Sequence, residues 1–182
     1  ISGSGSPAGD AFDVDQVAHQ IGHQFGAEHT FSAVAGDCAL GRFEGNTYEP
    51  GSGSTIMAFA GKCGAENLQL HSDAYLHGRS YDEIEAYITD TTPEFGGACA
   101  METLTNNSAP VVSAGSSVTI PARTPFELTG SASDPNGDAL TYGWEQFDVG
   151  AAIFRSFTPT ASPTRMFPKL ADVLNGSATY GE

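Results

Sequence analysis

The stretch His19-Gln-Ile-Gly-His23-Gln-Phe-Gly-Ala-Glu-His29 decides how this chain is read. His19 and His23 are four residues apart, so on a helix they project from one face, one turn from each other. Gly26 follows and lets the chain turn sharply where the helix stops. His29 can then swing back as a third nitrogen donor. Three imidazoles around one Zn2+ leave the fourth position open, which is the layout of a catalytic rather than a structural zinc site. A histidine pair at this spacing is common on solvated helices; the third histidine and the intervening glycine make the pattern specific. His71 and His77 lack such a context and read as surface or pocket residues.

Outward from the histidines, the pattern predicts a helix over Asp13 to Phe25. Asp13 suits the N-cap, and Gln16 three residues on completes a capping box. Val14, Val17, Ile21 and Phe25 recur at helical spacing and form an apolar stripe opposite the histidines. Thr30 to Thr55 is rich in Gly, Ser and Asn without a clean period, and reads as a long irregular segment that is functional or tied down. A second helix is expected from about Ser80 to Thr89, capped by Ser80 with Glu83.

Asn106-Asn-Ser-Ala-Pro110 marks a composition shift and a linker. Short β-like runs follow at Val111–Ala114, Ser117–Ile120, Phe126–Thr129 and Leu140–Phe147, separated by turns such as Asp134-Pro-Asn-Gly-Asp138. Trp144 in an alternating run suits a sandwich core. The expected division is therefore an α+β part over residues 1–104 and an all-β immunoglobulin-like sandwich over residues 105–182. Asp134, Asn136 and Asp138 alternate like the oxygens of a Ca2+ loop, with Glu145 at the twelfth position. Ala139 stands at the sixth, where such a loop needs Gly. An Asx-type turn and a calcium site both remain open there.

The 182 residues carry 22 acidic against 7 basic side chains, a net charge of −15. That balance excludes a general nucleic-acid binder, which needs basic patches against phosphate, and a polybasic membrane anchor. No apolar run approaches the roughly 20 residues of a membrane span, so no membrane insertion is expected. The three cysteines, Cys38, Cys63 and Cys99, form no CxxC pair, which argues against a cysteine zinc knuckle. Ile1 to Gly9 is a Gly/Ser/Pro stretch without the charged start or apolar block of a signal peptide, as in a mature or trimmed piece. The acidic, lysine-poor composition suggests a secreted, extracellular protein.

The histidine pattern, with Ser54-Thr-Ile-Met57-Ala 28 residues beyond His29, resembles the metzincin zinc endopeptidases. Their signature is HExxHxxGxxH followed by a Met-turn, and the nearest likeness is to the reprolysin-like secreted bacterial branch. The resemblance covers roughly Gly9 to Cys99. It implies that His19, His23 and His29 ligate zinc, that Met57 floors the site, and that the substrate is a peptide or protein cut at an internal bond. With only some eighteen residues before His19, it also implies that this chain is the back half of a catalytic domain whose N-terminal half is a separate partner chain or absent. Cys38 would then pair with Cys63, and Cys99 with a cysteine in that other half. Leu68, Leu70 and Tyr75, after the Met-turn, become candidate substrate-pocket walls; packing on the second helix explains them as well.

Two departures bear on activity. The family has Glu directly after the first histidine, where it takes a proton from the attacking water and later passes it to the leaving amine. Here the general-base position is Gln20, which keeps size and hydrogen bonding but accepts no proton. Several branches place Tyr where this chain has Phe59. Two histories fit Gln20: a deliberately silenced form, or a natural non-cleaving relative. The alternative function is accordingly a catalytically inactive zinc-binding module that recognises peptides or surfaces. The stretch Ser131 to Tyr142 looks like PKD-type immunoglobulin-fold modules, which implies a spacer or a polymer-binding role.

Overall fold

In this computed structural model the described residues are 7–149, apart from 94, 102, 118, 122, 123, 146 and 148. They form two compact units, one ending at Ala100 and one running from Met101 to Phe147. The architecture is mixed α/β with a small two-stranded sheet.

The first helix, α1, is α-helical over Asp10–Phe12, π-helical over Asp13–Ala18 and α-helical over His19–Gln24. It begins earlier than its sequence pattern suggests. Gly9 takes a positive φ of 83°, and its carbonyl accepts the amides of Phe12 and Asp13. Asp13 is thus inside the helix and makes no cap. A π-helical turn is frequent beside functional sites; here it ends at Ala18, directly before His19.

The expected apolar stripe is not the buried side of α1. Ile21 and Phe25 are 47% and 43% exposed, while His19 and Gly22 are buried. The cause is visible at Gly22. A Cβ there would land on Met57 Sδ, so the helix gives its smallest side to Met57 and turns the stripe away. Phe25 meets the Tyr87 ring edge-on.

The helix closes in a Schellman motif. The amide of Ala27 donates to Gly22 O and that of Gly26 to His23 O, with Gly26 at φ 85°. Only a residue without Cβ adopts this conformation freely.

The segment after His29 is irregular and tied down throughout. Phe31 and Glu49 form a parallel bridge. Ser32 donates its amide to Glu49 O and Ala33 to Gly51 O. The buried Glu66 carboxylate accepts the amides of Val34 and Ala35. A short helix, α2 (Cys38–Gly41), is fixed by a disulfide between Cys38 and Cys63. Phe31, Ala33, Cys38 and Cys63 form the core, with Phe59 against it.

Helix α3 (Gly78–Thr89) is capped by His77, whose Nδ1 accepts the Arg79 amide, and not by Ser80, which is fully buried within the first turn. Glu83 is no capping-box partner either. It pairs with Arg79 and accepts the amide of Glu28, fastening α3 to the residue before His29.

In the second unit, β1 (Val111–Ser113) pairs antiparallel with β2 (Ser131–Ser133), Val112 opposite Ala132. The expected runs at 117–120, 126–129 and 140–147 are not strands among their described residues. Pro121 and Pro125 withhold ladder donors, and Phe126 is 42% exposed, so little burial rewards pairing there. An immunoglobulin-like sandwich is not seen in residues 101–147; the rest of that expected module lies outside the described residues. The turn at Asp134 is of the Asx type. Asp134 Oδ1 accepts the amides of Asn136 and Asp138, and Asn136 Oδ1 accepts the Ser108 amide. With these oxygens engaged by backbone, calcium binding at Asp134, Asn136 and Asp138 receives no support.

Candidate metal centre

Each of the three histidines is aimed by a backbone carbonyl. His19 Nδ1 donates to Ile56 O at 2.7 Å, His23 Nδ1 to Ala27 O at 2.8 Å, and His29 Nδ1 to Gly41 O at 2.5 Å. The three carbonyls come from three local devices. Ala27 belongs to the Schellman turn, Gly41 ends the disulfide-anchored α2, and Ile56 precedes the buried Met57. Carbonyl oxygens only accept, so each Nδ1 holds the proton and each neutral ring presents a bare lone pair at Nε2.

Those three Nε2 atoms converge at mutual distances of 3.1, 3.1 and 3.0 Å. Three lone pairs at that range repel unless a cation lies among them. Nitrogens held at about 2.0–2.1 Å around tetrahedral zinc stand roughly 3.3 Å apart, close to what is seen here. Among the described residues, these are the His, Cys, Asp or Glu side chains that gather in metal-binding reach. Burial lowers the His19 pKa from 6.5 to about 4, against the pull of the Ile56 carbonyl and with His23 and His29 adding to the fall. His29 is lowered as well, first by burial. Both rings therefore keep their lone pairs free at neutral pH, as a metal ligand must. The donor set fits zinc, which when bound polarises a carbonyl oxygen and makes water a stronger acid.

Beside His19 opens a cleft of about 450 Å3, with Asp15, Gln16, Gln20, Phe59 and Ser72 among its walls. Gln20 is exposed to it. Its amide can orient a water or a carbonyl by hydrogen bonding but takes up no proton near neutral pH. The Phe59 ring centre is 4.5 Å from that of His29 and 5.4 Å from that of His19, and it stacks on Phe31 at 4.9 Å. It shields the imidazoles and offers no hydroxyl. Met57 is fully buried against α1.

The other residues singled out from the sequence fall elsewhere. Leu68 and Leu70 are 45% and 75% exposed, and neither they nor Tyr75 line the cleft. Cys99 is free and exposed. His71 pairs with Asp15 at 2.7 Å, and Asp15 also accepts the Ser72 amide, so the segment after the Met-turn is held onto α1. The residues that sequence reading missed act through backbone: the carbonyls of Ala27, Gly41 and Ile56, and Gly22 with its missing side chain. A carbonyl leaves no mark in sequence, and Gly22 carries one only once Met57 is placed against it.

A helix bearing two histidines, a glycine reversal and a third histidine bring together a group that could hold a metal ion, with Met57 packed against the same helix. Residues 1–84 match the family model described as metallo-peptidase family M12B, Reprolysin-like. The match supports a metzincin-like peptidase, a family that implies zinc. No curated protein and no solved structure matches the chain.

Proposed function

We propose that this chain is the zinc-binding portion of a secreted endopeptidase that hydrolyses internal peptide bonds, followed by an immunoglobulin-like module, and that Gln20 disables its general base. The observation that carries the reading is the convergence of three carbonyl-oriented imidazoles with their lone pairs facing one another. His19, His23 and His29 hold the zinc, Met57 packs below, and the peptide occupies the cleft beside Gln20. The Cys38–Cys63 disulfide supports an oxidising compartment. Losing a general base costs about 10²–10⁴-fold in rate. Gln20 therefore favours a second reading for the chain as it stands, a module that binds peptides with little or no cleavage.

Zinc analysis of the dialysed protein tests the centre. About one zinc per chain is expected, and its loss in His23→Ala. The Gln20→Glu variant tests the chemistry. It should acquire chelator-sensitive cleavage of a broad peptide library, and zinc-loaded Gln20→Glu that cleaves nothing would remove the endopeptidase reading in favour of the binding module.

A further inference from the structure

Glu49 is 7% exposed, and its carboxylate is engaged on both sides. Oε2 accepts the hydroxyls of Thr30 and Thr55, each at 2.6 Å. Oε1 accepts the amides of Ser54 and Thr55 at 2.9 and 3.1 Å. The two sets of donors belong to different parts of the metal centre. Thr30 directly follows His29. Thr55 directly precedes Ile56, whose carbonyl aims His19, and Met57 comes next. One carboxylate thus spans from the neighbour of one histidine to the neighbour of the group that orients another.

The position of Glu49 is set independently of its side chain. Its amide donates to Thr30 O at 2.9 Å, and its carbonyl accepts the Ser32 amide at 2.9 Å. Gly53 leaves room for it, since a Cβ there would stand 3.0 Å from the Glu49 carboxyl carbon. The side chain is therefore a strut of fixed root and defined reach.

We propose that Glu49 is a positioning residue of the metal centre, holding the His29–Thr30 segment and the Thr55–Met57 turn at the spacing that lets His19 and His29 meet on one ion. The role is geometric: it depends on where the two oxygens stand. Aspartate roots at the same place and falls one methylene short. Glutamine keeps the reach. Its carbonyl can face the two amides, and its NH2 can face the two threonine hydroxyls, which turn to accept.

This inference rests on the three histidines binding zinc, and the test separates the two. Zinc affinity of the full chain is measured by competition with a chromophoric chelator, alongside the visible spectrum of the Co2+-loaded protein and the melting of the chelated protein. Wild-type protein that takes up no zinc would sink the reading of the centre itself. With wild type loaded, Glu49→Asp is expected to lose about 10–100-fold in zinc affinity and to change the Co2+ spectrum, as when groups that orient metal ligands are altered. Glu49→Gln should stay near wild type. Thr30→Val, which keeps shape and removes the bond beside His29, should lose about tenfold and decides the matter if Glu49→Asp does not fold. Variants that melt earlier in chelator but bind zinc as tightly as wild type would reduce Glu49 to a structural role and overturn the proposal. So would Glu49→Gln binding weakly while Glu49→Asp binds as tightly as wild type, which would assign the effect to charge rather than reach.

Discussion

Substituting Gly22 by alanine would drive a methyl group onto Met57 Sδ, at a contact between two buried residues. Overpacking of this kind costs about 1–3 kcal/mol. Gly22→Ala should therefore lower the urea midpoint of the chelated protein and, because Met57 and Ile56 are adjacent, disturb the carbonyl that aims His19. An unchanged midpoint would show that Met57 has room to move. His19 supplies a second test at the same scale. Its folded pKa is depressed from 6.5 to about 4, so between those values the unfolded chain binds more protons than the folded one. The chelated protein should be at full stability above pH 6.5 and lose it progressively as pH falls toward 4. Denaturant titrations across that window should show the decline, and a smaller decline in His19→Phe, with His29 carrying the remainder, would assign that share to this ring. The histidines themselves were plain in the sequence, because spacing of four on a helix and one glycine are local facts. Glu49 was not, since a carboxylate beside Pro50 in a Gly/Ser-rich run declares nothing until Thr30 and Thr55 are folded onto it.

Among the elements, α1 and α3 were legible together with their C-terminal ends at Gly26 and Thr89, and their starts were not. Both were expected to begin at an acid or hydroxyl cap. α1 instead begins from the reversed backbone of Gly9, and α3 from the ring of His77. Glu83 shows why such starts mislead. From sequence it completes a capping box, whereas in the fold Arg79 and the Glu28 amide claim it, and a distant partner outweighs a local one. The apolar stripe of α1 failed for a related reason. Periodicity measures which residues share a side, while burial follows the side whose atoms fit, here a glycine against a thioether. In the second unit, β1 was found but its partner Ser131–Ser133 was not, because Ser-Ala-Ser has no strand-forming bulk and pairs only through register with Val111–Ser113.

Within the first unit as a whole, one covalent bond joins the metal centre to the chain beyond the Met-turn. Cys38 and Cys63 are 25 residues apart, and Cys38 opens the short helix whose last carbonyl orients His29. Closing a loop of that size is worth about 3 kcal/mol. Changing both cysteines to alanine should lower the unfolding free energy by about that amount and speed zinc release to a chelator. A double variant that releases zinc at the wild-type rate would show that Gly41 is held by packing alone. The charge of −15 has no counterpart in the orienting of the imidazoles, where every partner is a neutral carbonyl.

The backbone origin of these three oxygens limits what substitution can do to them. Ala27, Gly41 and Ile56 serve through atoms that every amino acid possesses, so no single replacement at those positions deletes the oxygen. Side chains that line the cleft, such as Gln20, can be exchanged while those three oxygens stay where they are. A lineage could therefore rework the cleft beside His19 without disturbing the aim of the three imidazoles.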